Sequence, residues 1–97
     1  MSQPTDVKII SDILEKEGFE VLSIEIPEEG LDAGIEISGK EKGGRLINYY
    51  IQIDLYNYPD IFVVNEFIYD EDDYGMRFVA ETDELKKAIE ILKPLCL

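Results

Sequence analysis

The sequence predicts an α+β fold: a four- to five-stranded antiparallel β-meander with an N-terminal and a C-terminal helix packed on one face, in the order α-β-β-β-β-(β)-α. Three observations lead there. The stretch 46–70, LINYYIQIDLYNYPDIFVVNEFIYD, holds two β-rich runs separated by Asn57-Tyr58-Pro59-Asp60. Apolar residues return at helical spacing near both ends of the chain, and the links between elements are short. Short links favour sequential antiparallel neighbours. Two helices from opposite chain ends cover one face of such a meander most economically.

Residues 1–3 are expected to be a loose tail, and a helix to run from Pro4 or Thr5 to Glu17. Pro suits a first turn, Asp6 favours the positive end of the helix dipole, and Val7, Ile10, Ile13 and Leu14 form one stripe that Ile9 widens. Gly18 is placed to stop it with a positive φ. A first strand covers 19–26, where Leu22, Ile24 and Ile26 alternate with Val21, Ser23 and Glu25. After the turn Pro27-Glu28-Glu29-Gly30, a second strand covers 33–39 with Ile35 and Ile37 inward and Glu36 and Ser38 outward. Residues 40–45, KEKGGR, read as a hairpin loop and are the one basic cluster in the chain.

The central hairpin follows. Ile47, Tyr49, Ile51, Ile53 and Leu55 alternate with Asn48, Tyr50, Gln52, Asp54 and Tyr56, a period of two with tyrosines on the polar side. Asn57, Pro59 and Asp60 supply turn chemistry, because Pro fixes φ and the side chains of Asn and Asp bond nearby backbone. With a four-residue loop Tyr56 faces Ile61, and Phe62, Val64 and Ile68 join the face of Ile51. Past the acidic bend Asp70-Glu71-Asp72-Asp73, a fifth strand at 75–81 carries Met76, Phe78 and Ala80 on one face. A helix at 83–93, with Thr82 as N-cap and Leu85, Ala88, Ile89 and Leu92 as its stripe, ends at Pro94.

Ninety-seven residues with 45% hydrophobic content make one domain, residues 1–97, with a real core. Nine basic residues against 22 acidic ones give a formal net charge of −13. Such charge steers cationic partners toward the protein. It argues against direct nucleic-acid binding, which needs clustered Lys and Arg, and against an anionic membrane surface. The apolar runs are too short for a membrane span, and no signal-peptide core follows Met1. The single Cys96 has no intrachain partner, so a reducing, cytoplasmic setting is expected.

The run 61–69 is apolar on both faces. An antiparallel strand with one wet face normally alternates cleanly, so three or more large apolar side chains are left on the side away from the helices, whichever register the hairpin takes. Either the 18–32 segment or the tail Leu95-Cys96-Leu97 folds over them, or a protein partner or a second copy covers them. The expected partner-binding residues are Tyr50, Asp54, Tyr56, Phe67 and Tyr69 with the acidic run Asp70, Glu71, Asp72 and Asp73. Tyrosine gives a large contact area at low rotamer cost.

Histidine is absent, which removes the usual neutral-pH general base, Ser-His and Cys-His nucleophile pairs and most zinc sites. No catalytic residue and no cofactor is expected. Asp70, Asp72, Gly75 and Glu81 stand at positions 1, 3, 6 and 12 of an EF-hand-like spacing, but Tyr74 occupies position 5 and the flanks read as strand. An acidic bend without a metal is the better reading. The glycines and lysines of 39–45 do not follow the order of a phosphate-binding loop.

The functional expectation is a non-enzymatic acidic module that blocks a basic, nucleic-acid-binding surface of a larger protein. In size, charge and composition the chain looks like phage anti-defence factors of the anti-CRISPR type and toxin-neutralising immunity proteins. A second expectation is a dimeric adaptor, since the order helix, meander, helix is similar to that of small secretion-chaperone-like domains that present a sheet face to an extended client.

Overall fold

The computed structural model describes residues 7–25, 33–43, 45–54, 61–69 and 74–97, with backbone alone at Lys42, Arg45, Ile68, Tyr69 and Tyr74. The elements are α1 (Val7–Lys16), β1 (Val21–Glu25), β2 (Ala33–Lys42), β3 (Arg45–Asp54), β4 (Ile61–Tyr69), β5 (Tyr74–Thr82) and α2 (Leu85–Cys96). The five strands form one antiparallel sheet in sequence order, so β1 and β5 are its edges. Both helices lie on the same side. Expectations for 1–6, the 27–30 and 57–60 turns, Tyr56 and the 70–73 bend fall outside the described residues.

Helix α1 buries Val7, Ile10, Ser11 and Leu14, the stripe that its spacing predicts. Its end is a Schellman motif. Gly18 takes φ +104°, its N–H donates to the Glu15 carbonyl at 3.1 Å, and the Phe19 N–H donates to the Leu14 carbonyl at 3.1 Å. The contact expected of that motif brings two apolar side chains together, and both Leu14 and Phe19 are buried.

The helix side of the sheet is a lattice of cross-strand rows. Ile24, Ile35, Ile51, Val64 and Ala80 make one row across all five strands, and Ala33, Ile53, Phe62 and Thr82 make the next. Ile35, Ile51, Ile53 and Val64 are fully buried beneath Ile10, Leu14, Ala88 and Leu92. Each such aliphatic side chain contributes roughly 1.5–3 kcal/mol relative to exposure. This burial fixes which side faces in.

Several boundaries differ from the sequence reading, each for a physical reason. The first strand, Val21–Glu25, begins two residues later than the expected 19, and Ile26 lies outside the described residues. An extra residue between Val21 and Ser23 breaks its alternation and leaves Leu22 46% exposed, while Ile24 returns to the helix side opposite Ile35 and is 39% exposed on this edge strand. Strand β2 continues to Lys42 rather than ending at Gly39. The β2–β3 link is therefore only 43–44, with Gly43 at φ +59° supplying the left-handed residue such a tight turn needs. In the central hairpin Asp54 faces Ile61, two residues from the expected Tyr56–Ile61 pairing. A slip of two keeps every side chain on its expected face.

A bulge at Val79 separates residues predicted to share a face. Ala80 pairs with Val64 on the helix side, whereas Phe78 pairs with Asn65 and Met76 with Phe67 on the other side. Helix α2 runs 85–96 rather than 83–93, and Pro94 lies inside it. The last turn persists beyond Pro94 because Leu95 and Cys96 pack against the core and the Leu97 N–H donates to the Lys93 carbonyl at 2.9 Å. Thr82 does not cap the helix. Its Oγ1 accepts the Glu84 N–H at 3.2 Å two residues before the cap, and Glu84 is the N-cap.

Candidate functional site

The sheet face turned away from the helices is built by the alternation that buries Ile35, Ile51 and Val64, which sends the intervening side chains outward. One outward row is Ser23, Glu36, Tyr50, Asn65 and Phe78; a second is Glu25, Gly34, Gln52, Val63 and Glu81; a third begins Ser38, Asn48, Phe67 and Met76. The β4–β5 half is apolar. Met76 and Phe78 are 54% and 61% exposed, and Val63 and Phe67 are half-buried beside them. The β1–β2 half is polar and acidic.

Tyr50 joins the two halves. Its ring meets Phe67 edge to face, with centroids 5.8 Å apart at 79°, a favoured aromatic geometry. Its hydroxyl crosses β2 and donates to Glu25 Oε2 at 2.9 Å. That path lies over Gly34, where a Cβ would stand 1.8 Å from the Tyr50 hydroxyl. Gly34 is therefore the opening through which the side chain reaches the edge strand. Beside it, Asn48 Nδ2 donates to Glu36 Oε2 at 3.1 Å, and Ser23 Oγ donates to Glu36 Oε1 at 3.5 Å. Asn48 is only 5% exposed, and its Oδ1 has no hydrogen-bond partner.

Charge divides by side. Glu25, Glu36, Glu41, Asp54 and Glu81 all register to the open face, Glu41 through its pairing with Leu46 and Asp54 through Ile61. Among the described side chains no cation stands in these rows. Lys8 and Lys16 belong to α1, and Lys86, Lys87 and Lys93 to α2. Lys93 bridges Glu17 at 2.9 Å and Lys87 bridges Glu84 at 2.8 Å. Arg77 donates to Glu66 at 2.7 Å in the row that also holds buried Tyr49. Lys40 acts on Cys96 of α2. Among the described side chains the helix side mixes both signs while the open face carries one.

Of the residues predicted to bind a partner, Tyr50, Asp54 and Phe67 share this open face. Tyr69 pairs with Tyr74 through its backbone, and its side chain is not described. Tyr56, Asp70, Glu71, Asp72 and Asp73 lie outside the described residues. Of the segments expected as a cover, 21–25 is an edge strand and Leu97 lies on the helix side, where a Cβ on Gly18 would meet its side chain at 3.6 Å, while 26–32 lie outside the described residues. Sequence reasoning missed Met76, Phe78, Glu36 and Asn48 as members of the site. The Gly at 34, inside a strand, was the one signal of a close approach.

Other chemistry is sparse. Among the described residues no group of three His, Cys, Asp or Glu could hold a metal ion. Glu81 belongs to β5, opposite Val63. It stands seven residues along an extended strand from Tyr74, roughly 23 Å away at strand rise, so it is not the closing ligand of a compact loop, and Asp70 and Asp72 lie outside the described residues. Burial pushes the Cys96 thiol up to about 11, only partly offset by Lys40, which keeps it protonated and unreactive at neutral pH. Two shallow depressions lie beside α2. One of about 520 Å³ is lined by Ile61, Glu81, Thr82 and Lys87, and one of about 420 Å³ by Ile13, Leu85, Ile89 and Lys93. Among the described residues no helix is long and apolar enough to cross a membrane. No known protein family, curated protein or solved structure matches the chain.

Proposed function

We propose that this protein is a non-enzymatic binding module that antagonises a larger protein by docking its open sheet face on a basic, nucleic-acid-binding surface. Antagonists of the phage anti-defence kind, anti-CRISPR-type or immunity-type, work in this way in a cytoplasmic setting. One observation carries the reading: exposed Met76 and Phe78 sit on a face whose described charges are all carboxylates. Apolar contact supplies affinity at the centre of an interface, and charge complementarity at its border selects the partner and speeds encounter. The same carboxylates repel nucleic acid, so the protein competes for the partner's site and does not bind the nucleic acid itself.

The test is affinity capture from host lysate at low ionic strength, followed by competition with nucleic acid for the captured protein. The expected result is one dominant partner, released as salt rises, whose nucleic-acid binding is blocked by the wild-type chain. Phe78→Glu should abolish both effects with an unchanged melting temperature, since Phe78 is an exposed strand residue. Capture that ignores both salt and Phe78→Glu removes the reading.

A dimeric adaptor is the second reading, supported by the position of Met76 and Phe78 on the edge strand β5, where an extended client or a second copy can add a strand. Sedimentation separates the two. A tight homodimer that buries Phe78 favours the adaptor, and a monomer favours one-to-one antagonism.

A further inference from the structure

We infer that β5 takes a sixth strand from the partner: an extended segment antiparallel to 75–78, with two apolar side chains beside Met76 and Phe78 and a cation, N-terminal to them, beside Glu81. This rests on the Met76 and Phe78 patch being the docking surface proposed above. It fixes the backbone form, direction and residue pattern of what docks there.

The backbone carries the inference. β5 is an edge of the sheet, and among the described residues nothing pairs with its outer side. An edge strand presents a row of N–H and C=O groups that templates another extended chain. Native chains blunt such an edge with short strands, Pro or Lys. Here the strand is nine residues long, contains neither Pro nor Lys, and pairs with β4 without a break from 74 to 78. Its one basic residue, Arg77, reaches back to Glu66 of β4 at 2.7 Å instead of guarding the rim. The opposite edge fits less well. β1 has five residues, an extra residue at Leu22 interrupts it, and its open-face positions Ser23 and Glu25 are polar.

Side chains set the pattern. Along β5 the open face shows Met76, Phe78 and then Glu81, which the extra residue at Val79 keeps two ladder positions beyond Phe78. Directly opposed side chains on adjacent strands stand about 5 Å apart, close enough for apolar and opposite-charge pairs to be selected. An added strand therefore suits apolar residues beside Met76 and Phe78 and a cation beside Glu81. Glu81 also lines the depression of about 520 Å³ together with Ile61, Asp83 and Ile91, a setting that takes the apolar stem and the charged head of one lysine. Lys87, the cation at its wall, is bridged to Glu84 at 2.8 Å. Every existing pairing in the sheet is antiparallel, and that sense is the more stable one. The order read along the partner is then cation, any residue, apolar, any residue, apolar. A second copy is the poorer occupant, because it brings another formal charge of −13 to the same rim.

The test is a ¹H–¹⁵N NMR titration and amide-exchange measurement on the full chain. The probe is the peptide acetyl-Thr-Lys-Thr-Val-Thr-Val-Thr-amide, with the reversed order Thr-Val-Thr-Val-Thr-Lys-Thr as comparison. A saturable shift confined to β5 and its border is expected, with exchange slowed about tenfold or more at alternate amides of 75–78. The reversed peptide should bind more weakly. Two further probes methylate the backbone nitrogens of either the valines or the threonines. Because alternate residues point their N–H groups at one neighbour, one of these peptides should lose binding and the other keep it. Glu81→Gln should weaken the lysine peptide several-fold and leave a peptide with Thr in place of Lys unchanged. No saturable shift on β5 with probe at about 1 mM, or equal binding of both methylated peptides, overturns strand addition. A dimer in sedimentation whose outward β5 amides are protected without any probe gives the edge to a second copy and also overturns it. If Phe78→Glu abolishes partner capture while the probe leaves the β5 amides unprotected, the docking face stands and strand addition falls. Probe binding with the one-sided methylation pattern, in a chain that captures no partner, supports the edge independently of the wider reading.

Discussion

Tyr49 shows how one side chain ties the core to its border. It is fully buried, yet its hydroxyl donates to Glu66 Oε2 at 3.3 Å, and Glu66 in turn holds Arg77. Burial first, then the Glu66 carboxylate beside it, pushes the phenol from 10.0 up to about 12. The folded state thus keeps a proton that the unfolded chain gives up near pH 10. Tyr49 contributes its full stabilisation below pH 10 and loses it as pH rises from 10 through about 12. Urea unfolding between pH 9 and 12 should show falling stability in the wild type and a shallower fall in Tyr49→Phe. At pH 7 that substitution should cost about 1 kcal/mol for the lost hydrogen bond; an equally steep alkaline fall in the variant would assign the loss elsewhere. The position of Tyr49 on the inward face was legible in the alternation of 47–55. Its partner Glu66 was not, because a charged residue inside an apolar run gives no sign that a phenol and an arginine wait on either side.

At the scale of elements, glycines and bulges set the details of the sheet that the hydrophobic pattern leaves open. Gly34 and Gly39 both lie in β2, and each is crowded by a tyrosine, but the obstacles differ. A Cβ at Gly34 would meet the far end of Tyr50, whereas at Gly39 it would meet the Ile47 carbonyl oxygen at 2.1 Å and the Tyr49 ring at 2.8 Å. Tyr50 can swing aside with the loss of its Glu25 hydrogen bond; backbone in the adjoining strand cannot. Gly34→Ala should therefore cost about 1–2 kcal/mol, and much less when introduced into Tyr50→Ala, a non-additivity that reports their contact. Gly39→Ala should cost more than Gly34→Ala and should not be rescued by Tyr50→Ala. Chemical denaturation of the five variants checks the order; equal costs would contradict the difference in obstacle. Strand number, sense and inward faces were readable because one buried side fixes a period of two. The bulges near Leu22 and Val79 were not, since each follows from how one extra residue fits its neighbour strand, and no residue type in either stretch announces it.

The whole molecule carries a formal net charge of −13, unevenly placed. The helix side mixes both signs, as where Lys93 meets Glu17, while the described charges of the open face are carboxylates. Repulsion between exposed like charges weakens as the Debye length shrinks from about 30 Å at 0.01 M salt to about 8 Å at 0.15 M. The melting temperature should therefore rise between those two salt concentrations, by a few degrees, as expected for about 1 kcal/mol in a domain of this size. Calorimetry at fixed pH measures it. A falling midpoint would mean that surface ion pairs outweigh the repulsion. The overall acidity was evident in the composition, and so was an apolar excess on 61–69. That the two meet on one face was not, because it depends on pairings between residues as distant as Glu25 and Gly34 or Val63 and Glu81.

Val79 decides how β5 is shared between the two sides of the sheet. Because it is the supernumerary residue of β5, the strand changes its allegiance halfway: Ala80 and Thr82 belong to the interior layer, Met76 and Phe78 to the exterior. Without that insertion the N-terminal half of the strand would turn inside out, carrying two bulky groups inward and turning Arg77 away from Glu66 onto the opposite face. A single surplus amino acid thereby decides whether this molecule presents grease to its surroundings or hides it.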